Sequence, residues 1–339
     1  MANLSQEYAE IMLPDTVFIT TVGILGVIGN VIVIILYCCK VTDENGDRYF
    51  IPCLAAADLL GSVSMTICNA VDNYFLFNYP SETCCKWLNY SLMFSGFLSS
   101  SLLLIIALQR YRKVCQTNSR EFTLVCRRLA VLFTVIVSAI IMAPWLALSG
   151  TSSISIQFQE RNVTGKVCKF IDKDNVHRYN RMIFIYMGFI YMIIIVILII
   201  LVVLYALIAL RLRQIFRVTK TECKPLIEDH EQNYNSISAD TNTGIKSWFN
   251  LMYGAIVIVY IVSFFPTAVL FFLTYKYVDY LSLPKHALVT WMIFSRFIII
   301  NHFVNPFIYV YFDVKFREAL KQLCVCRNTS DSAEMSIPS

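Results

Sequence analysis

Seven long apolar stretches alternate with short polar ones along this chain, at about 16–39, 51–77, 88–109, 129–149, 182–210, 249–275 and 286–311. Each supplies the ~20 residues that a helix needs to cross ~30 Å of hydrocarbon. Backbone polar groups in lipid must be satisfied inside the segment, and a helix does this. One such run is compatible with a buried core helix, but seven in series are not. The pattern predicts an all-α membrane protein, a seven-transmembrane helix bundle.

Composition agrees. Of 339 residues, 57% are hydrophobic and 15% charged, and the mean hydropathy is +0.61. Little polar sequence remains for a second, soluble domain. Orientation follows from Lys and Arg. With the N-terminus outside, 18 of them fall in the inner loops and tail and 9 outside, with Arg296 inside a span. Positive charge concentrates on the cytoplasmic side, so N-out, C-in is expected. Residues 1–15 carry no basic n-region, so the first span is expected to serve as the insertion signal. The sequons at Asn3 and Asn162 both fall outside in this topology, which makes them candidate glycosylation sites. Those at Asn89 and Asn328 fall in a span and inside.

The chain has 12 cysteines, most of them within spans or at the reducing face. Cys84, Cys85 and Cys168 alone reach the oxidising side, enough for one bridge and one spare thiol. Cys324 and Cys326 follow a basic amphipathic segment, as palmitoylated cysteines do.

Polar groups inside spans are expensive and mark functional candidates. Asn30, Asp58, Asn301, His302 and Asn305 are of this kind. Their surroundings carry a resemblance over nearly the whole chain. The third span ends in Gln109-Arg110-Tyr111, the sixth holds Phe264-Phe265-Pro266, and the seventh ends in Asn305-Pro306-Phe307-Ile308-Tyr309. Phe316-Arg317 follow, and Tyr205 lies near the inner end of the fifth span. In this order and placement the motifs resemble those of a rhodopsin-like (class A) G-protein-coupled receptor, of the peptide-receptor kind. The resemblance implies a short amphipathic helix 8, and divides the chain into an outer tail (1–15), a receptor domain (16–311) and helix 8 with the cytoplasmic tail (312–339). It also implies a bridge between Cys85, at the family spacing before Arg110, and Cys168.

The mechanism implied is a bundle with two packings. Pro266 and Pro306 each remove a helix hydrogen bond and kink their spans. Outward motion of the sixth span then exposes Arg110, Tyr205 and Tyr309 to a heterotrimeric G protein, with arrestin a second inner partner. The family's acidic residue before the arginine is Gln109 here, and Lys246 stands where some relatives offer another carboxylate. A weak ionic latch and raised basal activity are expected. Asp58, Ser99, Asn301 and Asn305 match the family's sodium pocket, oxygen ligands that suit a small cation. His302 replaces a serine there and would compete with sodium when protonated. No other cofactor is expected. Ile197 replaces the usual proline of the fifth span, so that helix should be straighter. Ile299 stands where opsins hold their retinal lysine and Leu92 where amine receptors hold an aspartate, which argues against a photoreceptor and against a cationic amine ligand.

Residues 153–159 alternate apolar and polar, 161–165 reads as a turn, and Val167-Cys168-Lys169-Phe170 follows, a hairpin signal. Peptide receptors often carry such a hairpin at the mouth. The candidate pocket comprises Cys68, Asn69, Asp72, Asn89, Leu92, Met93, Phe189, Thr267, Phe271, Trp291, Ser295 and Arg296, mostly apolar with a few convergent polar groups. Arg296 would meet a ligand carboxylate or pair with an acidic residue. A short neuropeptide is the first choice of ligand and a small organic chemosensory cue the second. A non-signalling decoy of the same fold is the alternative that Gln109 raises. A transporter or channel is disfavoured because no internal repeat is visible. An enzyme is disfavoured because no HExxH motif or second membrane-embedded aspartate level with Asp58 is present. Nothing points to a nucleic-acid partner.

Overall fold

Polar punctuation sets the helix ends. The computed structural model describes residues 2–41, 46–116, 122–158, 161–170, 176–222, 233–276 and 280–323. The spans form α2 (Leu13–Cys39), α3 (Phe50–Phe75), α4 (Glu82–Cys115), α5 and α6 (Leu124–Met142 and Pro144–Leu148), α7 (Val176–Glu222), α8 (Asn233–Lys276), and α9 with α10 (Lys285–Ser295 and Ile299–Phe312). Ser81 caps α4 by accepting from the Cys84 amide at 3.0 Å, and Thr123 caps α5 in the same way, each satisfying an otherwise orphaned N–H. Pro144 stands where it can begin a helix but not continue one, so the fourth span is α5 followed by α6. As Ile197 implies, α7 runs unbroken.

Six helices among the described residues are long and apolar enough to cross a bilayer. The pair α9 and α10, bent by 54°, makes a seventh span. Its bend lies at 296–298, and Pro306, where a kink was expected, lies inside α10. The amides of Phe297, Ile299, Ile300 and Asn301 each reach back three residues, a 3₁₀ tightening that turns the axis. The Ile298 amide donates instead to Thr267 Oγ1 on α8 at 3.3 Å.

The helix α4 lies centrally, touching α3, α5, α6, α7 and α8. Leu54, Leu102, Ile106, Leu201, Ile256 and Tyr309 fill the space between helices. Phe133, Ile140, Phe184, Ile258 and Phe265 are exposed on the outside of the bundle. A soluble protein does not carry such a girdle of large apolar side chains; lipid covers it here. Residues 314–323, a terminal helix after α10, bury Phe316 and Ala319 on the bundle.

At the end opposite Arg110, β1 (Ser149–Phe158) pairs antiparallel with β2 (Arg161–Phe170), with Phe158 facing Arg161 and Thr151 facing Cys168. The turn expected at 161–165 is therefore strand. Backbone pairing outweighed the local turn signal: Gly165 lies against Phe77, and Lys166 exchanges hydrogen bonds with Phe77 and Tyr79. Residues 1–15, read above as a short outer tail, begin with the helix α1 (Ala2–Ile11). Its Tyr8 ring lies 5.8 Å from those of Phe77 and Phe158, in a cluster with Met12, Leu281 and Leu288.

Candidate functional site

Three polar groups sit along the bundle, one at each end and one between. At the hairpin end, Cys85 and Cys168 are bonded. Cys85 opens α4, so the bridge fixes β2 over the helix. Asn89, one turn on, donates to the Cys85 carbonyl at 3.0 Å and lies 3.1 Å from the Cys168 sulfur. Leu92 and Met93 follow, half-buried in two separate apolar clusters. Asn69 is buried and donates to its own helix at Met65. Trp291 and Ser295 are half-buried on α9, as is Asp72 on α3. Thr267 is occupied in holding the 296–298 bend. Phe189 does not join this group: it is 54% exposed on the outer face of α7, because helical rotation turns that position to lipid. The side chain of Phe271 lies outside the described residues.

Arg296 is 5% exposed and paired with Asp15, which is fully buried at the start of α2. Asn73 completes the cluster: its Oδ1 accepts from Arg296 at 2.8 Å and its Nδ2 donates to Asp15 at 2.8 Å. Of the two readings of Arg296, the acidic partner is present in the structure. A buried guanidinium needs such a counter-charge, and this one ties the first, second and seventh spans together. Asp15 and Asn73 were not candidates from sequence. The signal was Arg296 itself, a cation in a span that required an acid.

Midway, Asp58 is fully buried. Ser99 donates to its Oδ1 at 2.8 Å, His302 Nδ1 lies 2.9 Å from the same oxygen, and Asn305 Nδ2 donates to Oδ2 at 2.6 Å. The imidazole fits because position 61 is glycine. A Cβ on Gly61 would stand 2.7 Å from the His302 ring. The Asn301 and Asn305 side-chain oxygens are buried without partners. Of the expected sodium ligands, Ser99 and Asn305 thus meet Asp58, but both carboxylate oxygens already face nitrogen or hydroxyl donors. The set does not fit a small cation while the imidazole holds its place. Asn30 links this level to the first span, donating to the His302 carbonyl at 2.7 Å.

At the far end, Arg110 is 3% exposed. Its guanidinium lies 4.9 Å over the Tyr253 ring, with Tyr309 buried and Tyr205 half-buried nearby. Tyr111 packs beside them on the core. Phe264 stacks on Tyr260, whose hydroxyl donates to Ser100 at 2.8 Å, and Pro266 lies inside α8. Arg110 does have a carboxylate, contrary to the expectation from Gln109. Asp47, in the loop between α2 and α3, accepts from it at 3.2 Å, and the Asp47 carbonyl takes a second bond. Gln109 donates to the Gly46 carbonyl at 3.2 Å. No periodicity or motif marked this loop, so only the packing brought Asp47 into view. The side chain of Lys246, the glycosylation candidate Asn3 by its side chain, and Cys324 and Cys326 lie outside the described residues. Asn162 is exposed near the tip of the hairpin.

The family described as "7 transmembrane receptor (rhodopsin family)" matches residues 29–309. Among solved structures the chain is similar to squid rhodopsin, with a TM-score of 0.66 and 20% identity, over 99% of this chain and 93% of that one. None of the curated proteins matches. At that identity the likeness speaks for fold alone. The family match covers most of the chain, and the chain belongs to the rhodopsin-like, class A G-protein-coupled receptors. It is a multi-pass membrane protein and a receptor rather than an enzyme.

Proposed function

We propose that this receptor lies in the plasma membrane with its N-terminus outside, binds a short neuropeptide at the hairpin end, and activates heterotrimeric G proteins at the Arg110 end, with arrestin as a further inner partner. The hairpin carries the peptide reading. Pinned by Cys85–Cys168, its two strands offer backbone edges to an extended chain, and Asn69, Asp72, Asn89, Trp291 and Ser295 supply polar groups below it. In this orientation Asn162 is available to carbohydrate.

A small organic ligand is the second reading, and one observation favours it. Tyr8, Phe77, Phe158, Leu281 and Leu288 pack across one side of the mouth, which narrows it. The decoy reading loses its main support, because Asp47 provides the carboxylate that Gln109 lacks. Sodium is given no part: His302 holds the Asp58 carboxylate in its stead.

Panels of short peptides and of small organic cues, applied to cells carrying this receptor and promiscuous G proteins, test the reading. A response within the peptide panel, lost in Cys168→Ser at equal surface expression, is expected. A response confined to the organic panel overturns the peptide assignment, and nucleotide exchange that no treatment raises overturns coupling.

A further inference from the structure

We propose that the loop between α2 and α3, acting through Asp47, is the latch that keeps the inner mouth of this receptor closed. Asp47 stands in for the acidic residue missing at position 109.

Residues 46–48 are held from four directions. From α4, Arg110 and Lys113 both reach Asp47 Oδ1, at 3.2 and 2.8 Å, while Gln109 bonds the Gly46 carbonyl. From α8, the Tyr253 hydroxyl lies 3.4 Å from the Asp47 carbonyl. From α5, the Arg127 guanidinium lies against Gly46, filling the space of a Cβ. From the junction of α10 with the terminal helix, Asp313 grips Arg48 through both oxygens, at 2.8 and 3.1 Å. Asp313 is itself held by the Tyr37 hydroxyl at 2.8 Å and caps the terminal helix at the Lys315 amide.

Two details show that this is a fitted arrangement. Gly46 has φ +63°, a conformation that glycine adopts without the strain other residues meet, and this turn aims its carbonyl at Gln109. Gln109 is itself suited to the contact, because an amide N–H donates to a carbonyl and a carboxylate cannot. An acid at 109 would forgo this bond; an amide makes it. The departure from the family pattern at Gln109 and the turn at Gly46 thus fit each other.

Opening requires α8 to move away from α4. Tyr253 on α8 covers Arg110 and touches the loop, so separation of the helices breaks these contacts. A contact that differs between the two packings biases their balance. This inference rests on the proposal that Arg110 faces a G protein, and the test separates the two.

The full-length receptor is reconstituted in nanodiscs without ligand, as wild type, Asp47→Asn, Arg48→Met, and Asp47→Asn combined with Gln109→Asp. Distances between spin labels on non-natural side chains at the exposed positions Val125 and Trp248 report opening without a G protein. Nucleotide exchange on purified heterotrimers reports coupling. Asp47→Asn is expected to shift the distances outward and raise exchange about tenfold, the change that about 1.4 kcal/mol makes. Arg48→Met, which frees the far end of the loop without touching Arg110, shifts both in the same direction by less. The double variant returns both toward wild type by restoring a carboxylate beside Arg110. Unchanged distances in Asp47→Asn and Arg48→Met overturn the latch, as does a double variant no more closed than Asp47→Asn. Opened distances with unchanged exchange uphold the latch and overturn the coupling assignment.

Discussion

Removing the Asp15 carboxylate leaves the Arg296 guanidinium buried without its counter-charge. Asp15 is 0% and Arg296 5% exposed, so water replaces little of what is lost. Breaking a buried ion pair costs about 3–5 kcal/mol. Asn73 Oδ1 remains on Arg296 at 2.8 Å, and Asp72 lies within electrostatic reach of it. Both place Asp15→Ala at the lower end, about 3 kcal/mol. Asp15→Asn keeps the shape and an acceptor but loses the charge, and is expected to cost about 2 kcal/mol. Replacing the pair together by apolar side chains, Asp15→Leu with Arg296→Met, removes both charges and should restore stability to within about 1 kcal/mol. Unfolding of a membrane receptor is often irreversible, so rates are the sounder measure. The assay is the half-life of folded, ligand-free receptor in detergent at fixed temperature, with the surface fraction in cells as a second readout. The expected order is wild type and double variant longest, Asp15→Asn shorter, Asp15→Ala shortest. An Asp15→Ala receptor as durable as wild type, or a double variant no better than Asp15→Ala, refutes the reasoning.

Further outcomes follow from the same geometry. Cys85→Ser frees β2 from α4 and should cost about 2–5 kcal/mol, read as lowered thermal stability together with loss of the agonist response. Gly61→Ala drives a methyl into the His302 ring and should destabilise by about 1–3 kcal/mol, with His302→Ser in the same chain recovering most of it in a melting experiment. His302→Ser alone should make thermal stability depend on sodium concentration where the wild type does not, and equal sodium responses in the two would count against the imidazole's role. Burial pushes the Asp47 carboxyl up, but Arg110 and Lys113 outweigh it and hold it below the ordinary carboxylate range. A group with a lowered folded pKa stabilises fully above its unfolded value of about 3.9 and loses that stabilisation only as pH falls through the lowered one. Basal activity in nanodiscs should therefore show no Asp47-linked rise between about pH 8 and pH 5. Phe189→Ala, on the lipid face, should leave ligand potency unchanged in a dose–response measurement.

Much of the architecture was readable before any coordinates. Apolar runs long enough to span hydrocarbon leave helices as the economical solution, so the seven spans needed only hydropathy. The motif residues Arg110, Pro266, Asn305, Pro306 and Tyr309 lie on long regular helices, and the family resemblance that their order and spacing carry placed the Arg110 cluster and the Asp58 cluster in advance. The pairing of Cys85 with Cys168 followed from the family resemblance, since the residues alone left one bridge open among Cys84, Cys85 and Cys168.

What the tertiary structure alone decided lies where chain segments far apart in sequence meet through loops and helix ends. Asp15 reaches Arg296 across 281 positions, and Asp47 reaches Arg110 across 63. Neither pair belongs to a repeating pattern. A loop's path depends on all the surfaces it crosses, and hydrophobic periodicity says nothing about it. The bend at 296–298 is of the same kind, a compromise between helix continuity and the pull of Asp15, Asn73 and Thr267 on one turn. The outward position of Phe189 depends on how α7 is rotated against its neighbours, which packing sets and composition does not. The chain's own order thus determined that this is a seven-helix receptor in a membrane. Contact between distant segments decided which acids neutralise its buried cations.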